Sequence, residues 1–413
     1  VTEGRYYDRL ETRDPEERER TLMAALPRVV ALAKERAPGF ARILAHVDPQ
    51  AVTDRRALAD LPVTRKSSLI ELQRQTPPFG GLATVAPGEL ARIFASPGPI
   101  YDPEGRRPDY WRTARVLYAA GFRKGDVVHN CFSYHLTPAG SMYETGAHAL
   151  GCAVIPGGTG QTELQARAIA DLRPSGYAGT PSFLKIILAK AEELGADVSS
   201  LKKASVSGEA FPAPIRKELE ARGIAAYQAY GTADVGMIAY ETEAREGLVL
   251  SEDIIVEIVR PGTGDVVPPG EVGELVVTVL TPEYPLIRFG TGDLSAFLPG
   301  QSPCGRTNVR IKGWMGRADQ RTKVKGMFVD PAQIAEVVRR HKEIIRARLV
   351  VSRDEAALDR MVLKVETGGP AESADAIAAT LQDVTKLRGT VEVVPQGSLP
   401  NDGKVIDDTR PVD

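Results

Sequence analysis

The sequence predicts an α/β protein with two parts. A large N-terminal domain has parallel sheets covered by helices and carries a small β-rich subdomain. A compact α+β domain of βαββαβ order follows it. Three observations predict this. Between about 113 and 240, apolar strand-like runs alternate with longer helical stretches. From about 245 to 325 the texture changes to short β-branched runs broken by turns. Beyond about 321 a second, shorter mixture of helix and strand begins. A length of 413 residues accommodates two or three domains of roughly 100–200 residues each.

The elements follow in order. Near the start, Leu22, Leu26, Val29, Val30 and Ala33 recur at three and four, an apolar stripe on an otherwise charged segment that predicts a docking helix. DVVHNCF (126–132) and CAVIP (152–156) read as strands, ELQARAIADL (163–172) and SFLKIILAKAEEL (182–194) as helices. Strand and helix in turn imply parallel pairing, because a crossover helix must cover the sheet. IIVEIV, GELVVTVL and VRIKGW, separated by PGTGD, PPGEVG and PGQSPCG, give the β-rich subdomain over about 245–318. The tail reads as a short strand at MFV, helix PAQIAEVVRRHKE, strands RARLVVS and RMVLKVE, helix SADAIAATLQDVTKL and strand TVEVVP. Asp330 and Pro331 suit an N-cap and first helical position.

Composition excludes several classes. With 43% hydrophobic and 26% charged residues the chain is not generally disordered. The 52 basic and 54 acidic side chains nearly cancel, which gives no electrostatic case for nucleic acid or an anionic membrane. No run approaches the roughly 20 apolar residues of a bilayer span, and the opening VTEGRYYDRLETRDPEERERT is too charged for a secretory signal, so a cytoplasmic location is expected. Cys131, Cys152 and Cys304 form no CxxC and read as reduced thiols; the histidines have no HxxxH or HExxH spacing, so no structural zinc is expected.

Five segments could carry chemistry. SVSGEAFP (205–212) ends a small-residue strand and opens a helix, where backbone N–H groups can approach a ligand. In AYQAYGTADVG (226–236), Tyr230 precedes Gly231 and Asp234 follows. An aromatic face beside a carboxylate suits a purine next to a metal-bound phosphate, and a core tyrosine with a capping aspartate is the alternative. PLIRFGTGDLS (285–295) embeds Arg288 and Asp293 in a β-rich run; Asp293 either accepts hydrogen bonds from ribose hydroxyls or pairs with Arg288. GRADQ (316–320) falls where the β-rich texture ends. Lys404, in PNDGKVIDD, sits on a glycine turn that could bring a mobile positive charge to a carboxylate–phosphate junction, or is a solvated surface charge.

Taken in order, SGEAFP, YGTAD, RFGTGDL, GRADQ and the terminal GK resemble the adenylate-forming acyl-CoA ligase superfamily, most of all its phenylacetate-CoA ligase branch. LPVTRKSSL (61–69), CAVIPGGTGQTELQ (152–165) and GMFVDPAQIAEVV (326–338) extend the likeness over most of the chain. The resemblance implies that Gly208, Glu209 and Ala210 border an adenine, with Tyr230 on its face and Gly231 and Thr232 beside it. Asp293 holds the ribose, and Arg317 supports the nucleotide. It also implies Asp234 as the Mg²⁺ ligand, Asp319 as the hinge between an adenylate-binding domain (1–318) and a mobile C-terminal lid (319–413), and Lys404 as the adenylation lysine. An acyl pocket near Phe132, Tyr134, Leu136 and Gly179 follows from the same likeness. The implied substrates are ATP, coenzyme A and an aryl carboxylic acid such as phenylacetate, with Mg²⁺ as cofactor; a homodimer is a family-level expectation.

Two segments depart from the family pattern. Its Ser/Thr/Gly-rich phosphate loop is replaced by ARIFASPGPIYDPEGRRP (91–108): Ser96 and Gly98 remain, but Pro97 and Pro99 remove N–H donors and no lysine follows. Arg106 and Arg107 could supply the charge, or form a plain solvated loop. In YGTAD, Ala233 stands where the family has Ser or Thr, and the acid is the shorter Asp234. Three functions therefore fit. The first is an AMP-forming carboxylate–CoA ligase, the second a degenerate homologue that binds nucleotide or acyl-CoA without efficient adenylation, and the third an enzyme passing its acyl group to another acceptor.

Overall fold

The computed structural model describes residues 4–96, 99–318, 320–324, 327–353, 359–369 and 374–410. The expected docking helix spans Pro15–Arg36. The Asp14 carboxylate accepts from the N–H groups of Glu16 and Glu17, Pro15 occupies a position that needs no N–H, and Leu22, Leu26, Val29, Val30 and Ala33 are buried.

The alternating segment forms a nine-stranded sheet. Across five neighbours, Ala153–Ile155, Val127–Asn130, Gly176–Gly179, Lys203–Val206 and Ala225–Thr232, pairing is parallel throughout. The chain then turns back on itself: Gly236–Tyr240, Leu248–Leu250 and Arg310–Ile311 continue the sheet antiparallel, and Phe297–Leu298 closes its edge. Helices Ala139–Leu150, Thr162–Leu172, Pro181–Leu194 and Ala213–Ala221 make the crossovers. Their apolar faces bury one cluster around Phe94, Trp111, Phe132, Tyr143 and Met237, and another around Tyr177, Leu184, Ile187 and Val206.

The β-rich stretch is shared between two sheets. Its first and last strands join the large sheet, whereas Ile254–Val259, Gly273–Val279, Phe289–Ser295 and the short Thr64–Arg65 form a second sheet of four. Arg92–Ser96 and Ile100–Glu104 make an antiparallel hairpin with Ser96 opposite Ile100 and Phe94 opposite Asp102. In the segment expected to hold a phosphate loop, Arg92–Ser96 and Ile100–Glu104 are therefore paired strands. Gly98 lies outside the described residues.

The tail has the predicted succession of helices and strands, with one exchange of partners. Thr390–Val393, Asp359–Thr367, Ile344–Arg353 and Ile406–Asp408 form its sheet in that order. The MFV strand, Met327–Val329, pairs with Thr322–Val324 in a separate hairpin, and Ile406–Asp408, just after Lys404, takes the place parallel to Ile344–Arg353. Helices Pro331–Arg340 and Ala374–Thr385 pack Ile334, Val337, Ile377 and Leu381 into the tail core with Leu349 and Leu363. Pro331 starts its helix as expected, and the Asp330 N–H donates to Gln333 Oε1 at 3.0 Å.

Two compact units emerge. The first comprises Val1–Val256, Val277–Phe289 and Leu298–Trp314, the second Glu257–Val276, Gly290–Phe297 and Met315–Asp413. Among the described residues no helix is long and apolar enough to cross a membrane.

Candidate active site

In the first unit, the strand Lys203–Val206 ends at Ser207, and Gly208 follows with φ +84°, a left-handed conformation that glycine adopts without strain. A Cβ on Gly208 would lie 3.6 Å from Thr180 Cγ2 and 3.8 Å from Phe132 Cε1, so the motif glycine faces one of the expected pocket residues. Glu209 is committed locally: its Oε1 accepts the Ser182 N–H at 2.7 Å, at the start of the helix Pro181–Leu194, where negative charge is favoured. Ala210 is exposed.

Phe132 is buried and stacks on Tyr143, ring centroids 4.5 Å apart. Asn130, at the end of its strand, organises this corner. Its amide donates to Tyr134 Oη and to the Gly140 carbonyl, both at 2.8 Å, and its Oδ1 accepts from the Phe132 N–H. Gly179 has no room for a side chain, since a Cβ would come within 2.2 Å of the Tyr177 hydroxyl oxygen. Leu136 is exposed, with φ +63°, and contributes its carbonyl to the Ala95 N–H rather than a buried side chain.

Tyr230 and Gly231 lie at a bulge between Ala225–Thr232 and Gly236–Tyr240. Tyr230 is buried, and a Cβ on Gly231 would lie 2.6 Å from the Gly236 carbonyl oxygen, which explains the glycine. Thr232 spends its hydroxyl on the Val235 N–H, closing the turn that carries Asp234. The Asp234 side chain is wholly buried; its Oδ2 meets Lys66 Nζ at 2.6 Å, and its Oδ1 has no hydrogen-bond partner. Lys66 opens the helix Lys66–Gln75. Arg106 and Arg107, the expected replacement cations, instead hold main-chain carbonyls of Glu89 and Tyr110.

The hairpin adds a second buried carboxylate. Ser96 and Asp102 are diagonal neighbours on one face, and Ser96 Oγ donates to Asp102 Oδ2 at 2.9 Å. Burial and the charge of Asp234 push the Asp102 carboxyl up to about 8, with Ser96 and Lys66 opposing. The folded protein thus holds a proton that the unfolded chain releases near pH 4. Stability attributable to this group falls as pH rises from about 4 to about 8, by at most about 1.4 kcal/mol per unit. Asp102→Asn, which mimics the protonated form, should flatten the stability–pH curve over that interval and be more stable than the parent at pH 8. Urea unfolding at pH 5.5, 7 and 8.5 measures this; parallel curves would contradict it.

In the second unit, Asp293 lies on the strand Phe289–Ser295, and Arg317 bridges to it, Nη1 to Oδ1 2.9 Å. Gly292 permits this, because a Cβ there would sit 2.7 Å from Arg317 Nη2. Lys404 follows Gly403, which has φ +73°. Gln320, the last residue of GRADQ, staples this turn: Oε1 accepts the N–H groups of Val405 and Ile406, and Nε2 donates to the Gly403 carbonyl at 2.8 Å. Lys404 is half exposed and reaches Asp407 at 3.1 Å. Arg317, Gln320, Thr322, Lys404 and Asp407 line one cleft of about 350 Å³. Asp319, the expected hinge, lies outside the described residues.

Residues 111–279 match the AMP-binding enzyme family. The chain is 36% identical over 383 residues to the phenylacetate-coenzyme A ligase of Thermus thermophilus, covering 88% of this chain and 85% of that relative. It is 35% identical over 353 residues to the enzyme of the same name from Aromatoleum evansii, covering 80% and 78%. A solved 2-hydroxyisobutyryl-CoA ligase, in an open conformation with 2-HIB-AMP and CoA, superposes with a TM-score of 0.73 at 26% identity over 97% of this chain and 93% of that one. The fold is that of an adenylate-forming CoA ligase. The chain belongs to the phenylacetate-CoA ligase family.

Sequence reasoning missed Lys66, Asp102 and Gln320. A lone lysine at a helix start carries no spacing signal, and Asp102 becomes informative only once the hairpin register turns it inward. Gln320 lies within the GRADQ motif, but nothing in its residue type or spacing points to a turn at Gly403, 83 residues further on. Gln320→Ala removes three hydrogen bonds from the lysine turn and, if Lys404 acts from that turn, lowers the rate of adenylate formation about tenfold. Glu at this position should restore part of it through the two N–H contacts. Single-turnover acyl-AMP formation checks this, and an unchanged rate would assign Gln320 to folding alone.

Proposed function

We propose that the protein is an ATP-dependent carboxylate–CoA ligase that activates an aryl acid, phenylacetate or a close relative, as its acyl adenylate. The acid is already ionised at neutral pH, its pKa being about 4. Catalysis therefore needs alignment and charge stabilisation more than a base. A carboxylate oxygen attacks the α-phosphorus, the bond to the β-phosphate bridge breaks, and pyrophosphate leaves. The thiol sulfur of coenzyme A then attacks the acyl carbon, loses its proton, and AMP departs.

In this reading Gly208–Ala210 border the adenine and Tyr230 covers its face. Asp293 takes the ribose hydroxyls with Arg317 beside it, and Lys404 bears on the acid and α-phosphate as charge shifts between them. Phe132 on Tyr143, beside Gly208, gives a flat apolar wall for an aryl ring. A Mg²⁺ ion bound with ATP would supply positive charge against the phosphates. Asp234 would hold it, and the buried, partnerless Asp234 Oδ1 fits that role. The residues 319–413 would act as the lid that carries Lys404.

The observation that supports this reading most is the common cleft of Lys404 and Arg317, with Arg317 fixed on Asp293. Acid-dependent exchange of labelled pyrophosphate into ATP, over a panel of phenylacetate, benzoate and hydroxylated aryl acids, tests it. Exchange with at least one aryl acid is expected. AMP binding without any exchange would replace this reading with a nucleotide-binding homologue.

A further inference from the structure

The hairpin that stands in for the family's phosphate loop brings a carboxylate to a place where such loops offer hydroxyls and amides. We propose that Asp102 is a second carboxylate ligand, beside Asp234, for the divalent cation that accompanies ATP, a role that rests on the ligase reading above.

Four observations carry it. Both carboxylates are buried, Asp102 completely. Each has one oxygen engaged, Asp102 Oδ2 by Ser96 at 2.9 Å and Asp234 Oδ2 by Lys66 at 2.6 Å, and each has its other oxygen buried without a hydrogen-bond partner. The buried Tyr284 side chain, next to Gln73, lies within the field of both carboxylates. Finally, one helix ties the two acids together: Lys66 at its start holds Asp234, and Gln73 near its end exchanges two hydrogen bonds with the main chain of Tyr101, the residue before Asp102. Orphaned buried oxygens are costly and are usually explained by a ligand or a water. A hard divalent cation suits two carboxylate oxygens with phosphate and water completing its shell. Two carboxylates would also hold the cation without the N–H donors that Pro97 and Pro99 remove.

Binding of Mn²⁺ alone, followed by the electron paramagnetic resonance of the free ion, tests this apart from turnover. The parent should bind one Mn²⁺ per chain. Asp102→Asn, which keeps the shape but cannot give up a proton to become a carboxylate ligand, and Asp234→Asn should each weaken it at least tenfold. Asp102→Glu, which keeps a carboxylate, should stay within about threefold. Binding by Asp102→Asn equal to the parent's, or no Mn²⁺ binding by the parent, overturns the proposal. In either case acid-dependent pyrophosphate exchange by the parent leaves the ligase reading standing, and its absence removes both.

Discussion

Replacing Lys404 by alanine is expected to lower acid-dependent pyrophosphate exchange by about 100- to 1000-fold, the range typical for removing a charge aimed at a transition state. The lysine is half exposed and its ion pair with Asp407 is a surface contact, so folding stability should change by no more than about 0.5 kcal/mol. Thioester formation from presynthesised acyl-AMP and coenzyme A should survive, because that step no longer involves the α-phosphate junction. Exchange within threefold of the parent would make Lys404 a solvated charge and remove the main support for the cleft as a catalytic one.

Lys66→Met should be the most destabilising single change at the site. The Asp234 side chain is wholly buried and Lys66 Nζ, 2.6 Å away, is its one hydrogen-bond partner among the described residues. Removing one member of such a pair strands a charge at a cost of about 3 kcal/mol, near the low end of the usual range since the lysine side chain is a quarter exposed. The double variant Lys66→Met/Asp234→Asn should recover most of that loss, because the stranded charge goes with the second substitution. Urea unfolding of the parent, both single variants and the double variant gives the coupling directly. Additive losses would show that the pair contributes nothing as a pair.

The legible and illegible parts of the protein divide along physical lines. The docking helix and the parallel strands announce themselves by period, since burial on one face forces spacings of three and four or continuous apolar runs. The tail helices were equally plain. The place of Met327–Val329 was not, because a three-residue run specifies a strand but not its partner, and Ile406–Asp408 competes for the same sheet position. Among the glycines named from sequence, Gly208 takes a left-handed conformation and Gly231 fills a gap where a Cβ would collide, which are physical reasons for glycine at both positions. Asp293 had two readings, and its observed bridge to Arg317 ties together two motifs that sequence order alone kept apart. Leu136 shows the opposite case, a residue chosen by likeness that is largely exposed. Asp102 and Lys66 could not be found by pattern, because their meaning depends on chain segments more than 100 residues away in sequence meeting Asp234.

The proposed AMP-forming, two-step reaction is tested most directly by the nucleotide and thioester made from phenylacetate, ATP and coenzyme A. Mass-resolved products should be phenylacetyl-CoA and AMP in equal amounts, with pyrophosphate released; a related aryl acid supplied instead should give its own CoA thioester with the same stoichiometry. Formation of ADP and phosphate, or thioester without AMP, would contradict it.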